Sequence, residues 1–403
     1  MKIQLVLCLL ACAALPAQQI PAPTQLPGQP YFVKKTWILG GLGNWDYLTI
    51  DPKANQLFIA HGTLVQVVDV TTGTLAGRIT GLREAHAIAL DDTGEFGYIS
   101  DGLADEVKVF DRRSLQVVAS IPTGPAPRAL ALEPQSGLLF AICGVPESTS
   151  TSTPRTPIRP NGRTTNTAPT HAPARDSEIK TSMTVIDIQT RQPLASILML
   201  GRLGFAQSDG NGEVYVNIVN RDSIARLDAQ AIGSALRNET RETPSLDWSQ
   251  GAHPQIHVFS LGANCREPSS LAVDHGHQRL FAACNNMKMS VLNALTGEPV
   301  ALLPTGPGTD AVGFDSDRGL IYSANGGAKG SLTIIRQDVT DSYAVVQILP
   351  TQQRARTLAV NPSTGEVYLV TDLLEVNLAQ PGGIGTLRSV PANGSFQVLV
   401  VGN

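Results

Sequence analysis

Several polar side chains in this sequence are of the types that hold ligands or move protons, and their spacing is regular. Asp46, His86, Arg128, Asp310 and Arg356 each lie five residues before a recurring position in the chain, and His61, Asp101 and Asn325 lie ten residues after it. If the fold superimposes the repeats, these distant residues gather at one place. Two imidazoles and several carboxylates, with Asp46, His86 and Asp310 at the centre, could hold Ca²⁺, Mg²⁺ or a transition ion. Such an ion could act as a Lewis acid on a lactone or ester. Without an ion, Arg128, Arg356 and His86 could hold a small anion or a peptide end through charge-assisted hydrogen bonds. The bland alternative is mutual pairing, Asp46 or Asp310 with Arg128 or Arg356. No HExxH, GxSxG or CxxCH motif points to a specific chemistry. His275 and His277 fall in a turn at the opposite end of the repeat and read as exposed turn residues.

The recurring position ends a short apolar strand: Asp51, Asp91, Glu133, Ser208, Asp274, Asp315 and Asn361. Seven residues later comes an aromatic each time: Phe58, Tyr98, Phe140, Tyr215, Phe281, Tyr322 and Tyr368. Leu271 to Cys284 shows the unit in its plainest form, strand, turn, strand. A period of about 40–45 residues carrying four strands is the signature of a propeller blade. The expected fold is therefore all-β, a seven-bladed β-propeller, with the candidate residues at one mouth of its central channel.

Two stretches interrupt the repeat. Residues 145–178 are dense in Thr, Ser, Pro and Arg and lack the apolar side chains needed to order themselves, so they read as a disordered loop between the second and third strands of blade three. Residues 229–254 form a second insertion in blade four, with one short helix expected over 229–239. Blade seven lacks a fourth strand, and the strand-like run Phe32–Leu39 lies unassigned near the other terminus. The economical solution is that Phe32–Leu39 completes blade seven, which leaves the ring no open edge.

The chain begins with Lys2 and an apolar run, Ile3–Ala14, too short to span a bilayer. With Ala17 before Gln18 it reads as a signal peptide over residues 1–17, followed by an extended tether over 18–30 and the propeller over 31–403. This implies a secreted or periplasmic protein; Leu9-Leu10-Ala11-Cys12 offers lipidation at Cys12 as the second option. No other segment reads as a transmembrane span. A formal net charge of −4 with 16% charged residues gives no polybasic footprint and argues against nucleic acid. Past residue 17 three cysteines remain. Cys265 and Cys284 flank two strands of one blade at the same face and are expected to form a disulfide. Cys143 reads as a small buried apolar group.

Val107-Lys108-Val109-Phe110-Asp111 with Ile121-Pro122-Thr123-Gly124-Pro125, and Leu302-Leu303-Pro304-Thr305-Gly306, resemble the repeats of the YVTN (YncE-like) β-propeller proteins. Trp45-Asp46-Tyr47-Leu48, His61-Gly62, Glu267-Pro268, Asp310 and Thr351–Thr357 are similar to an exported bacterial subgroup. The resemblance runs from about Gly43 to Thr371 and resumes at Ser395–Gly402. It implies a seven-bladed propeller outside the cytoplasm with no established catalytic activity, in a family associated with DNA binding, surface layers or accessory roles beside redox enzymes. The chain departs from that pattern in its long insertion after Cys143 and in the extended loop Asn325–Gly330. The combined expectation is a monomeric scaffold whose funnel mouth (Asp46, His61, His86, Asp101, Arg128, Asp310, Asn325, Arg356) binds an envelope protein, polymer or small ligand without catalysis. The alternative is a lactonase-like hydrolase that uses a divalent cation at the same mouth.

Overall fold

The computed structural model describes residues 29–41, 43–144, 179–238, 244–249, 253–339, 341–377 and 388–403. The expected signal peptide, most of the tether, lipidation at Cys12 and the 145–178 insertion lie outside these residues. Seven antiparallel sheets stand around a common axis. Their innermost strands are Trp45–Asp51, Ala85–Leu90, Ala129–Glu133, Leu203–Ser208, Pro268–Asp274, Thr309–Asp315 and Thr357–Val360. Each touches the innermost strand of the next blade, and the last touches the first, so the ring is closed.

Closure is made by the amino-terminal strand. Phe32–Ile38 runs antiparallel to Gln397–Gly402, with Phe32 opposite Gly402 and Ile38 opposite Gln397. Trp37 stacks on Tyr368, and the Tyr31 hydroxyl meets that of Tyr322 at 2.9 Å in the neighbouring blade. The edge that blade seven would otherwise expose is thereby paired.

The repeat signature has a physical basis at both of its positions. All seven aromatics, Phe58 through Tyr368, are at most 2% exposed and fill the seams between blades. The residue that ends each first strand anchors the following turn. Asp51 accepts from the Lys53 and Ala54 amides, Asp91 from Gly94 and Phe96, Glu133 from Gln135 and Ser136, and Asp315 from Asp317 and Arg318. Ser208, Asp274 and Asn361 do the same for Gly210, His277 and Ser363. Short polar side chains bonded to backbone two or three residues on are what hold such turns.

The insertion in blade four contains the helix Ala229–Arg237, capped by Asp228, whose carboxylate accepts from the Ala231 amide at 2.8 Å. Beyond it, Ser245–Asp247 pairs in parallel with the outer strand of blade three, giving that blade a fifth strand. A small hairpin, Leu374–Asn377 with Arg388–Pro391, stands between the second and third strands of blade seven. Cys265 and Cys284 form a disulfide with their Cα atoms 5.4 Å apart, and Cys143 is a buried free thiol. Among the described residues no helix is long and apolar enough to cross a membrane.

Candidate functional site: the charged mouth of the central channel

Five of the seven innermost strands lose register at the same end. The irregularities fall between Trp45 and Leu48, Ala85 and Ile88, Leu203 and Ala206, Pro268 and Ser270, and Thr309 and Ala311. The residues inside these bulges are Asp46 and Tyr47, His86 and Ala87, Gly204 and Phe205, Ser269, and Asp310. A bulge re-aims a side chain that regular alternation would fix. The bulges therefore put irregular, polar and aromatic side chains at one mouth, while the other end keeps its repeated turns.

At that mouth lies a cavity of about 500 Å³ whose lining includes Asp46, Asp310 and Glu267 against Arg128, Arg202 and Arg356. Arg356 Nε is 3.1 Å from Asp310 Oδ2. Enclosure at the mouth pushes the Asp310 carboxyl up, Arg356 holds it partly down, and the Asp46 charge adds to the rise. His86 Nδ1 is 2.8 Å from Asp46 Oδ2, and His86 Nε2 is 3.2 Å from Glu84 Oε2. Arg128 is exposed in the cavity, and its guanidinium makes no ion pair among the described residues.

The floor of the mouth is aromatic. Tyr47 of blade one and Phe205 of blade four reach each other across the channel, with ring centroids 5.2 Å apart at 54°. Below them a second cavity of about 370 Å³ is enclosed by the innermost strands, through Thr49, Ile88, Leu130, Gln207, Leu271 and Phe314 among others. Both rings line both cavities, so the pair divides the channel into a charged upper chamber and a lower one lined by no charged side chain among the described residues. Burial raises the Tyr47 phenol well above its ordinary value, and the Asp46 and Asp310 charges add to this.

The mouth thus gathers Asp46, Arg128, Asp310 and Arg356 around one cavity, with His86 held beside Asp46. The other expected residues are engaged elsewhere. Asp101 is fully buried and accepts from the backbone amides of Arg83 and Glu84 at 2.8–3.0 Å, fixing the loop before His86. Asn325 is 1% exposed and is bonded to Gly306, Thr309, Ser323, Ser331 and Thr333. Its amide is consumed in knitting blade six. His61 lies in a separate side pocket. The metal candidates Asp46, His86 and Asp310 divide between two pairings, and among the described residues no three His, Cys, Asp or Glu side chains form a group able to hold a metal ion. Tyr47, Phe205, Arg202 and Glu267 were not selected by repeat counting. The aromatics read as ordinary strand residues, and only the bulges turn them into the channel.

No protein-family model matches the chain, and no curated protein matches it. Solved structures do. The chain is similar to "Structure of U3-55K" at a TM-score of 0.61 and 10% identity, over 90% of this chain and 97% of that one. It is similar to "Crystal structure of RRP9 WD40 repeats" at 0.61 and 10%, over 95% and 100%. It is also similar to a chain of "Crystal Structure of Mitotic Checkpoint Complex" at 0.59 and 11%, over 89% and 96%. The fold is that of a seven-bladed β-propeller with WD40-repeat structural neighbours. At this level of identity the likeness carries architecture alone.

Proposed function

We propose that this propeller is an exported binding scaffold that holds a ligand at the mouth of its central channel and performs no chemistry on it. The observation that carries the reading is Arg128, a guanidinium exposed in the mouth cavity that makes no ion pair among the described residues. The cavity, at about 500 Å³, falls in the roughly 300–1,000 Å³ range of small-ligand sites. Its chemistry suits a small carboxylate or the carboxyl end of a peptide: Arg128 takes the charge, the Asp310–Arg356 and Asp46–His86 pairs supply oriented polar groups, and Tyr47 with Phe205 offers an aromatic floor. The YVTN-like repeat segments and the leader-like start of the chain support placement outside the cytoplasm, as a secreted or periplasmic protein of that family.

The test uses protein purified from its own envelope fraction, examined by native mass spectrometry. The wild type should retain a bound anion or peptide, and the Arg128→Ala, Arg356→Ala double variant should lose it. Retention by the double variant would remove the mouth as the binding site.

A further inference from the structure

A second pocket opens beside the mouth, where blade seven meets blade one, and it shares no lining residue with the mouth cavity. Its volume is about 200 Å³, below the range of roughly 300–1,000 Å³ typical of drug-sized ligands. The space suits a single ring. Trp45, His61, Asp372 and Phe396 line it and are all at most 5% exposed, with the exposed amides of Asn44 and Asn393 at its rim.

The pocket is built around an aromatic cluster. The His61 ring lies 4.0 Å from that of Phe396, and Trp45 and Phe396 are 5.5 Å apart. His61 Nδ1 is steadied by Gln66 Oε1 at 3.3 Å. Gly41, at φ +112°, passes so close that a Cβ there would stand 2.8 Å from His61 Cε1, so the chain can cross that ring only as glycine. The Trp45 indole N–H is buried without an acceptor among the described residues, although a buried indole normally finds one. None of these contacts belongs to the turn pattern that repeats around the ring.

The charges in the pocket are already answered. Arg354 lies 4.6 Å over the Trp45 ring, and its Nε is 3.3 Å from Asp372 Oδ1. Burial lowers the His61 pKa, which keeps the imidazole neutral at pH 7. A cation would find the Trp45 face and the Asp372 charge occupied by Arg354, and an anion would face the carboxylate. With the ring faces covered by Arg354 and by one another, what the pocket offers is an indole N–H, an imidazole, a carboxylate and two amides. A neutral hydroxylated ring presents the complementary set, since each hydroxyl can both donate to the carboxylate and accept from the indole and amide N–H groups.

We propose that this pocket binds one neutral sugar residue, recognised through its hydroxyls by the unpartnered Trp45 indole N–H and by Asp372, His61, Asn44 and Asn393. The probes are glucose, galactose, mannose and N-acetylglucosamine, with their methyl glycosides, added to the full chain and followed by saturation-transfer NMR and indole fluorescence. At least one should bind saturably. Asn393→Ala, at the exposed rim, should weaken it about five- to ten-fold, the effect of one lost hydrogen bond. Asp372→Asn should weaken it more, while Arg128→Ala leaves it unchanged. Binding of the methyl glycosides would identify the residue as a glycan end, and binding of the free sugars alone as a monosaccharide. Absence of binding by every probe, unchanged affinity in Asn393→Ala and Asp372→Asn, loss on Arg128→Ala, or binding of tetramethylammonium in place of sugars would each overturn the assignment.

Discussion

The two ends of the channel use the same side chains for opposite purposes. At the turn end, Asp51, Asp91, Asp274 and Asp315 are at most 9% exposed, and each accepts from backbone amides within its own turn. At the mouth, Asp46 and Asp310 accept no backbone amide among the described contacts, and their partners are the side chains of His86 and Arg356. A carboxylate that satisfies backbone donors is part of the fold, since its loss strands buried amides. A carboxylate paired with a side chain in an open cavity is available for exchange with a ligand. Asp101 and Asn325 stand at the mouth by sequence position but belong with the turn end by chemistry.

Several substitutions would break or sharpen this contrast. The largest effect is expected from deleting residues 31–39. Removing Tyr31 and Trp37 alone discards two aromatic anchors at roughly 3–5 kcal/mol each, against a total stability of about 5–15 kcal/mol. It also bares the Gln397–Gly402 edge. The truncated chain should aggregate or fail to melt cooperatively, and an unchanged melting curve would deny the closure. Replacing Cys265 and Cys284 by serine opens a loop spanning a sequence separation of 19 and should cost roughly 3 kcal/mol in denaturant unfolding on the chain-entropy model.

Asp101→Ala should cost roughly 2 kcal/mol, because the Arg83 and Glu84 amides lose their acceptor. Arg356→Ala should cost less than about 1 kcal/mol, because the Arg356 side chain is about half exposed. If the Asp101 variant were as stable as wild type, or the Arg356 variant as damaged as the Asp101 variant, the division between fold and mouth would collapse.

A smaller effect is expected from pH. Burial lowers the His61 pKa below the unfolded value of about 6.5, so the unfolded chain binds the proton first. The contribution of the neutral ring is fully present above that value and is lost as pH falls through the window beneath it. Stability should therefore decline on acidification below about pH 6.5, and His61→Gln should flatten that slope. Burial also lowers the pKa of His253, which contributes in the same direction. A steeper slope in the His61 variant would contradict this assignment.

The ring was legible in the sequence because its two signatures, the polar strand end and the aromatic seven residues on, each answer a local demand repeated seven times. The closing strand and the Cys265–Cys284 disulfide were legible as what the repeat left unpaired. The short helix, expected over 229–239, spans Ala229–Arg237. The mouth was legible only in part. Counting from the repeat anchor collected Asp46, His86, Arg128, Asp310 and Arg356, but it could not see that bulges re-aim Tyr47 and Phe205 into the channel. Nor could it separate Asp101 and Asn325, whose backbone and side-chain partners are fixed by loops of particular shape. Ser245–Asp247 carried no strand signal, since a segment of three residues pairs only where a neighbouring edge is already in place.

The most direct test of the account is a paired measurement on Arg128→Ala, Arg356→Ala and on Asp101→Ala: thermal melting together with native mass spectrometry of envelope-derived protein. The account predicts that the double arginine variant melts close to wild type and loses its bound ligand, while the Asp101 variant melts markedly lower. A double variant that keeps the ligand, or that unfolds as readily as the Asp101 variant, would contradict it.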